Sequence, residues 1–203
     1  MRRVTAAPFV LSRCVGRWHW LCLIILLCTL AAPHPIYAAS PSKEQALRAA
    51  VILGILKYTQ WPEHVGQSKR LQLCSVGNPS SSSVFELKKD SLPKWKSTQL
   101  YFARWNNPEQ YTHPGCDAIV VGPDIQEIPT LDGQSIHPML ICDNCSETLT
   151  KNSTITLELK NNRIQFAVNM DQAEQHHLAF SSALLELASA CHSTQSKWKG
   201  CQR

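Results

Sequence analysis

The seven residues Cys116 to Gly122, CDAIVVG, set the strongest limit on what this chain can fold into. The run is almost continuously apolar and rich in β-branched side chains, without the alternation that would leave one face to water. It therefore predicts a strand covered on both faces, and such a strand belongs in the middle of a parallel sheet. The surrounding segments supply material for that setting. Ser42 and Gln45 have capping-box spacing, and Leu47, Ala50, Val51, Gly54, Ile55 and Tyr58 recur at helical intervals behind them, predicting a helix over Lys43 to Tyr58. Trp61-Pro62 closes it, because proline pushes the preceding residue out of the helical region.

A strand at Leu71 to Gly77 ends in Gly77-Asn78-Pro79. Ser83 and Glu86 have capping-box spacing for a second helix, and Thr98 to Arg104 reads as the next strand. After the central run, His137 to Cys142 gives another buried strand. Thr154 to Leu159 and Ile164 to Val168 alternate on either side of Asn161-Asn162, which predicts a late β-hairpin. A closing C-terminal helix is expected from about Asp171, as N-cap, to Ala190. The fold class is α/β: a single domain with a mixed, mostly parallel sheet flanked by helices.

The first 38 residues read as an export signal that is cleaved. Arg2, Arg3, Arg13 and Arg17 stand without an acidic residue, and the twelve-residue apolar run Leu21 to Ala32 is shorter than the about 20 residues of a membrane span. Tyr37-Ala38-Ala39 offers small residues for cleavage. What remains, 39–203, is the expected domain, with sixteen basic residues against fifteen acidic, a net charge of +1. The basicity of the whole chain (+5) therefore resides in the leader, and no basic stripe is left to meet nucleic acid.

Six cysteines stay with the domain: Cys74, Cys116, Cys142, Cys145, Cys191 and Cys201. An even number in an exported chain reads as disulfides, although count alone does not fix the pairing. Cys142-Asp143-Asn144-Cys145 carries three readings: a local structural disulfide, a thiol-disulfide exchange site, or a metal site with Cys191, His192 or Cys201. Gly77 before the serine run could present backbone N–H groups to an anion, but no lysine stands beside it. His176 and His177, adjacent on the expected closing helix, point about 100° apart, which sets one toward solvent and one toward the core; an ordinary surface role is the first reading and a pH sensor the alternative. Ser181-Ser182 lacks an acid-base partner by spacing. No catalytic residue, cofactor or metal ligand is assigned.

In order and spacing these segments resemble the YfiR/HmsC-like family. The resemblance rests on the first helix closing at Tyr58 and Trp61-Pro62, the strand around Cys74, the cysteine-led strand at Cys116-Asp117, and the hairpin followed by Phe166, Asn169, Leu178, Ser181, Leu184, Leu185 and Ala188. It suggests that Cys74 pairs with Cys116. It implies a periplasmic regulator, often a homodimer, that binds the periplasmic sensor region of an inner-membrane diguanylate cyclase and holds it inactive, with an outer-membrane lipoprotein as a further partner. Cyclic di-GMP and biofilm formation would fall as a result. The chain departs from the family pattern at Lys151-Asn152-Ser153, in the close Cys142/Cys145 spacing, and in Cys191 and Cys201. Two other readings compete with this one: a small-molecule sensor using the strand ends near Gly77 and Gly122, and a thiol-redox protein acting through Cys142 and Cys145.

Overall fold

A computed structural model describes residues 40–105, 115–127 and 138–194. The leader, Pro108, Pro129, Asp132-Gly133, His137 and Cys201 lie outside the described residues.

The fold begins with helix α1, Lys43–Tyr58, opened by the expected capping box: Ser42 Oγ accepts from Gln45 N, and Gln45 returns an acceptor to Ser42 N. Strand β1 (Thr59–Gln60) and helix α2 (Glu63–Gln67) follow, then β2 (Arg70–Val76) and helix α3 (Ser82–Lys88). Next come β3 (Lys94–Trp95), β4 (Thr98–Trp105), β5 (Ala118–Val121) and β6 (Met139–Asp143). Helix α4 (Glu147–Asn152) leads to the hairpin of β7 (Ile155–Lys160) and β8 (Arg163–Asn169). Asn161 and Asn162 both take positive φ at its turn, as a tight hairpin requires.

Eight strands form one sheet in the order β10-β8-β7-β6-β5-β2-β4-β3, with β10 at Ala190–His192. Pairing is parallel from β7 through β6, β5 and β2 to β4; the β7–β8 hairpin and the β3–β4 pair are antiparallel. The central run behaves as its composition demands. Ala118 and Val120 enter the larger core with Ile52, Leu73, Phe85 and Ile141, while Ile119 and Val121 enter a second cluster on the opposite face with Val76 and Leu149. All four residues of β5 are buried.

Three segments differ from expectation. The helical face of α1 that points inward is Arg48, Ala49, Ile52, Ile55 and Leu56; Leu47 and Tyr58 are exposed. The helix is apolar nearly all round, so periodicity alone could not choose its buried side. The second helix is capped neither at Ser83 nor by a side chain: Ser81 occupies the N-cap position, and its hydroxyl is used elsewhere. The closing helix is broken into helix α5 (Met170–Gln175), strand β9 (Ala179–Phe180) and helix α6 (Ser182–Leu187). Asn169, not Asp171, caps α5 by accepting from Gln172 N. The chain then turns through His177 at φ +54°, Phe180 pairs with Thr59 in a small separate sheet, and Ser181 caps the next helix at Leu184 N. The β1–β9 pairing ties the closing segment to the end of α1 and interrupts what local periodicity reads as one helix.

Cys74 on β2 and Cys116 just before β5 come together as a disulfide pair with Cα atoms 5.9 Å apart, within normal disulfide geometry. They lie 42 residues apart in sequence, so the closed loop removes substantial freedom from the unfolded chain. Replacing both with serine should lower stability by about 4 kcal/mol on the chain-entropy account. Urea denaturation of the oxidised protein would read this, and an unchanged midpoint would remove the pair from the structural framework.

Candidate functional site

In a doubly wound sheet the natural binding crevice lies beyond the carboxyl ends of the strands, where the connections diverge. Here that point lies at the ends of β2 and β5, since β2 has β4 on one side and β5 on the other. Gly77 and Gly122 occupy it, and each allows a close approach by the other loop. A Cβ on Gly122 would lie 2.5 Å from Pro79 N and 2.6 Å from the Asn78 carbonyl carbon. Gly77 has φ +67°, and a Cβ there would collide with the Asp124 carboxylate. Asp124 receives Asn78 N at 2.7 Å and Asn78 Nδ2 at 2.9 Å, and Arg104 donates to Asn78 Oδ1 at 2.7 Å. At this rim Asp124, Asn78 and Arg104 are hydrogen-bonded to one another through Asn78, at the solvent-exposed surface.

The backbone N–H groups before α3 also receive an internal partner. Asp143, at the end of β6, accepts from Ser81 N at 3.1 Å and Ser81 Oγ at 2.9 Å through one carboxylate oxygen. Its other oxygen accepts from Arg48 Nη1 at 2.7 Å. Arg48 Nε reaches Glu44 at 2.8 Å. Arg48 and Asp143 are buried, with side-chain exposures of 3% and 0%. A carboxylate thus sits where an external anion could bind, and Ser81 spends its hydroxyl on Asp143 instead of capping α3. From sequence alone Arg48 takes no role, and Asp143 is named only within the Cys142–Cys145 motif. The only available signal was the lone charge within ALRAAVILGIL, which is insufficient to find a partner 95 residues away.

Cys142 and Cys145 flank this aspartate and are also brought together as a disulfide pair, with Cα atoms 5.5 Å apart. Asn144 between them takes φ +66°, a conformation asparagine tolerates better than most residues. Cys142 is fully buried, its sulfur accepting from Cys145 N at 3.3 Å and lying 3.5 Å from Thr150 Oγ1 on α4. Any exchange with an outside thiol would have to enter through Cys145. Cys191 on β10 is a disulfide cysteine as well. Among the described residues, no cluster of three or more His, Cys, Asp or Glu side chains is placed to hold a metal ion.

The remaining sequence candidates have structural positions. His176 is the C-cap of α5 and His177 the next residue, so the pair lies at a helix end and not on a continuous helix. His177 is exposed and lines a cleft of about 390 Å³ with Met170, Glu174, Leu178, Phe180 and Leu185. Ser181 is a helix cap. Asp171, instead of capping, accepts from Ser193 Oγ and Thr194 N, both at 2.7 Å, and holds the chain after β10. Asp117, beside Cys116, accepts from Gln72 N at 2.7 Å. Burial raises its pKa above the ordinary carboxylate value, and the Gln72 N–H, His64 and Arg70 oppose that shift. No helix among the described residues is long and apolar enough to cross a membrane.

These arrangements position and lock; they do not assemble a nucleophile with a base. Compared with known proteins, residues 45–189 match the model of the family described as YfiR/HmsC-like. No curated protein matches the chain.

Two predictions follow from the buried charges. Asp143→Ala leaves Arg48 and Ser81 without their main partner and should cost about 3–5 kcal/mol in urea denaturation. Arg48→Ala should cost a similar amount, and the double variant clearly less than the sum of the two, because each single change strands the other group. A loss below about 1 kcal/mol for Asp143→Ala would contradict this account of the pair. For Asp117, the raised folded pKa means that its contribution to stability is fully present below the unfolded value and is lost as pH rises through the folded value. Asp117→Asn should flatten that part of the stability profile and be at least as stable as wild type near neutral pH. Matched denaturation curves across the acid range would show it; identical profiles for the two proteins would refute it.

Proposed function

The chain belongs to the YfiR/HmsC-like family, and from that membership we propose that it restrains an inner-membrane diguanylate cyclase by binding the cyclase's periplasmic sensor region. The family is one of periplasmic regulators in cyclic di-GMP signalling, regulatory and not catalytic in character. In this reading the first 38 residues direct export and are removed, and the domain acts outside the cytoplasm as a homodimer. It never meets the nucleotide, which is made on the other side of the membrane; it acts by holding a shape that the sensor region binds.

The single observation that carries the reading is the extent of the family match. It runs from within the α1 capping box at Gln45 to Ser189, whose N–H and hydroxyl both donate to the Phe166 carbonyl, so it takes in every strand of the large sheet except the edge strand β10. The site chemistry supports the same direction. The buried carboxylate at the sheet's carboxyl end, Asp143, is paired with Arg48, and Cys74 with Cys116 and Cys142 with Cys145 form disulfides, which suits a protein that works through its surface.

Deleting the gene should raise cellular cyclic di-GMP and increase biofilm, and restoring the intact chain should reverse both. Restoring a chain without residues 1–38 should leave both high, because the product stays in the wrong compartment. Unchanged cyclic di-GMP in the deletion strain would end this reading.

A further inference from the structure

On the β4 side, the edge of the sheet is covered for only part of its length. β4 runs from Thr98 to Trp105, and β3 pairs with it only at Thr98 and Gln99. Gln99 N donates to Lys69 O on the β2 side and Leu100 N to Pro93 O on the β3 side, so by alternation the backbone N–H and C=O groups of Phe102 and Arg104 point away from β2. Among the described residues no strand receives them. Gln99 Nε2 donates to the Leu100 carbonyl at 3.1 Å, so the open stretch begins beyond it. A cleft of about 530 Å³ follows this stretch, lined by Glu86 and Lys89 of α3 and by Phe102, Ala103 and Arg104 of β4. Phe102 lies against the buried Phe85 of α3, ring centroids 5.4 Å apart, so the core fixes the floor of the cleft. Edge strands are commonly guarded by short length, proline or lysine, and β3 uses all three: it is two residues long, follows Pro93 and carries Lys94. Tyr101 to Trp105 has neither proline nor lysine. An open backbone edge beside a helix is the arrangement to which an extended peptide adds as a further strand.

We propose that the cleft between α3 and the outer edge of β4 binds an acidic segment of a partner protein in extended form, as an additional strand beside Phe102 and Arg104. The chemistry of the partner follows from charge. The segment from Ser82 to Trp105, which builds α3, β3 and β4, carries five basic residues, Lys88, Lys89, Lys94, Lys96 and Arg104, against Glu86 and Asp90. The rest of residues 39–203 carries eleven basic residues against thirteen acidic. Positive charge is therefore concentrated along this edge of a domain whose remainder is negative, and all five basic residues are exposed. Glu86 bonds to Lys89 at 2.9 Å, but both side chains are about half exposed, so the pair is weak and yields to an arriving carboxylate. Side chains alternate along an added strand, and every second one points toward α3, where Lys89 and Arg104 stand. Backbone hydrogen bonds supply affinity in such a mode, and the side chains at those positions supply selectivity. Peptide binding is measured on the purified chain, so it and control of the cyclase in the cell can fail independently.

Hydrogen exchange followed by NMR on the purified chain should be fast at the Phe102 and Arg104 amides and slow at Tyr101 and Ala103, which face β2. A fluorescent octapeptide alternating glutamate and valine should bind, as read by anisotropy, and should protect the Phe102 and Arg104 amides. The same peptide with lysine in place of glutamate, or with methylated backbone nitrogens, should bind at least about 10-fold more weakly. Arg104→Pro removes an outward N–H without breaking the pairing with β2, so it should weaken binding about 10-fold beyond the effect of Arg104→Ala, with matching thermal melts for the two variants. No binding of the acidic peptide, equal binding of the lysine peptide, an Arg104→Pro variant that binds like Arg104→Ala, or slow exchange of both amides in the free chain would each overturn the proposal. Slow exchange that appears only at high protein concentration would overturn it in favour of a second copy at the same edge.

Discussion

The contact between Arg48 and Asp143 orients the helical layer on the sheet. It joins α1 to the end of a central strand, and through Ser81 it also fixes the turn that opens α3. Two charges buried together cost a large desolvation energy, so such a pair contributes less to net stability than its short distances suggest. Its importance is in specificity. An apolar helix could present several faces to the core at similar cost, but only one face brings Arg48 to Asp143, and every other leaves a charge stranded.

The rest of the molecule follows from that constraint and from the cysteines. β5 is covered on both faces, and Cys116, immediately before it, is paired with Cys74 on β2, so the centre of the sheet is held covalently as well as by packing. Cys142 and Cys145 close the turn that carries Asp143 and limit where its carboxylate can point. At the strand ends, Asp143 takes up the N–H and hydroxyl of Ser81 before α3, and Asp124 takes up the Asn78 N–H after Gly77. A rigid body of this kind is suited to recognition by its outer surface.

Much of this was legible from residue order. The strand around Cys74, the two-faced strand after Cys116, the hairpin at Asn161-Asn162 and the capped helix from Lys43 to Tyr58 carry strong local signals, and each forms where those signals place it. The failures share one cause. Asp171 to Ala190 reads as a single helix because its periodicity is helical, but Phe180 pairs with Thr59, and a pairing across more than a hundred residues outweighs local preference. Ser83 looked like a cap because its spacing to Glu86 is favourable, yet Ser81 begins the helix, since Asp143 claims its hydroxyl and N–H.

By itself, the sequence determined the class of fold, its central strand, its hairpin and its family, because those depend on side-chain period, turn residues and motif order, all local properties. Tertiary structure alone decided which face of α1 is buried, which aspartate fills the anion position at α3 and which apolar residues remain outside. Those outcomes depend on partners distant in the chain. A helix with apolar residues nearly all round has no inside until Asp143 is in place to receive Arg48.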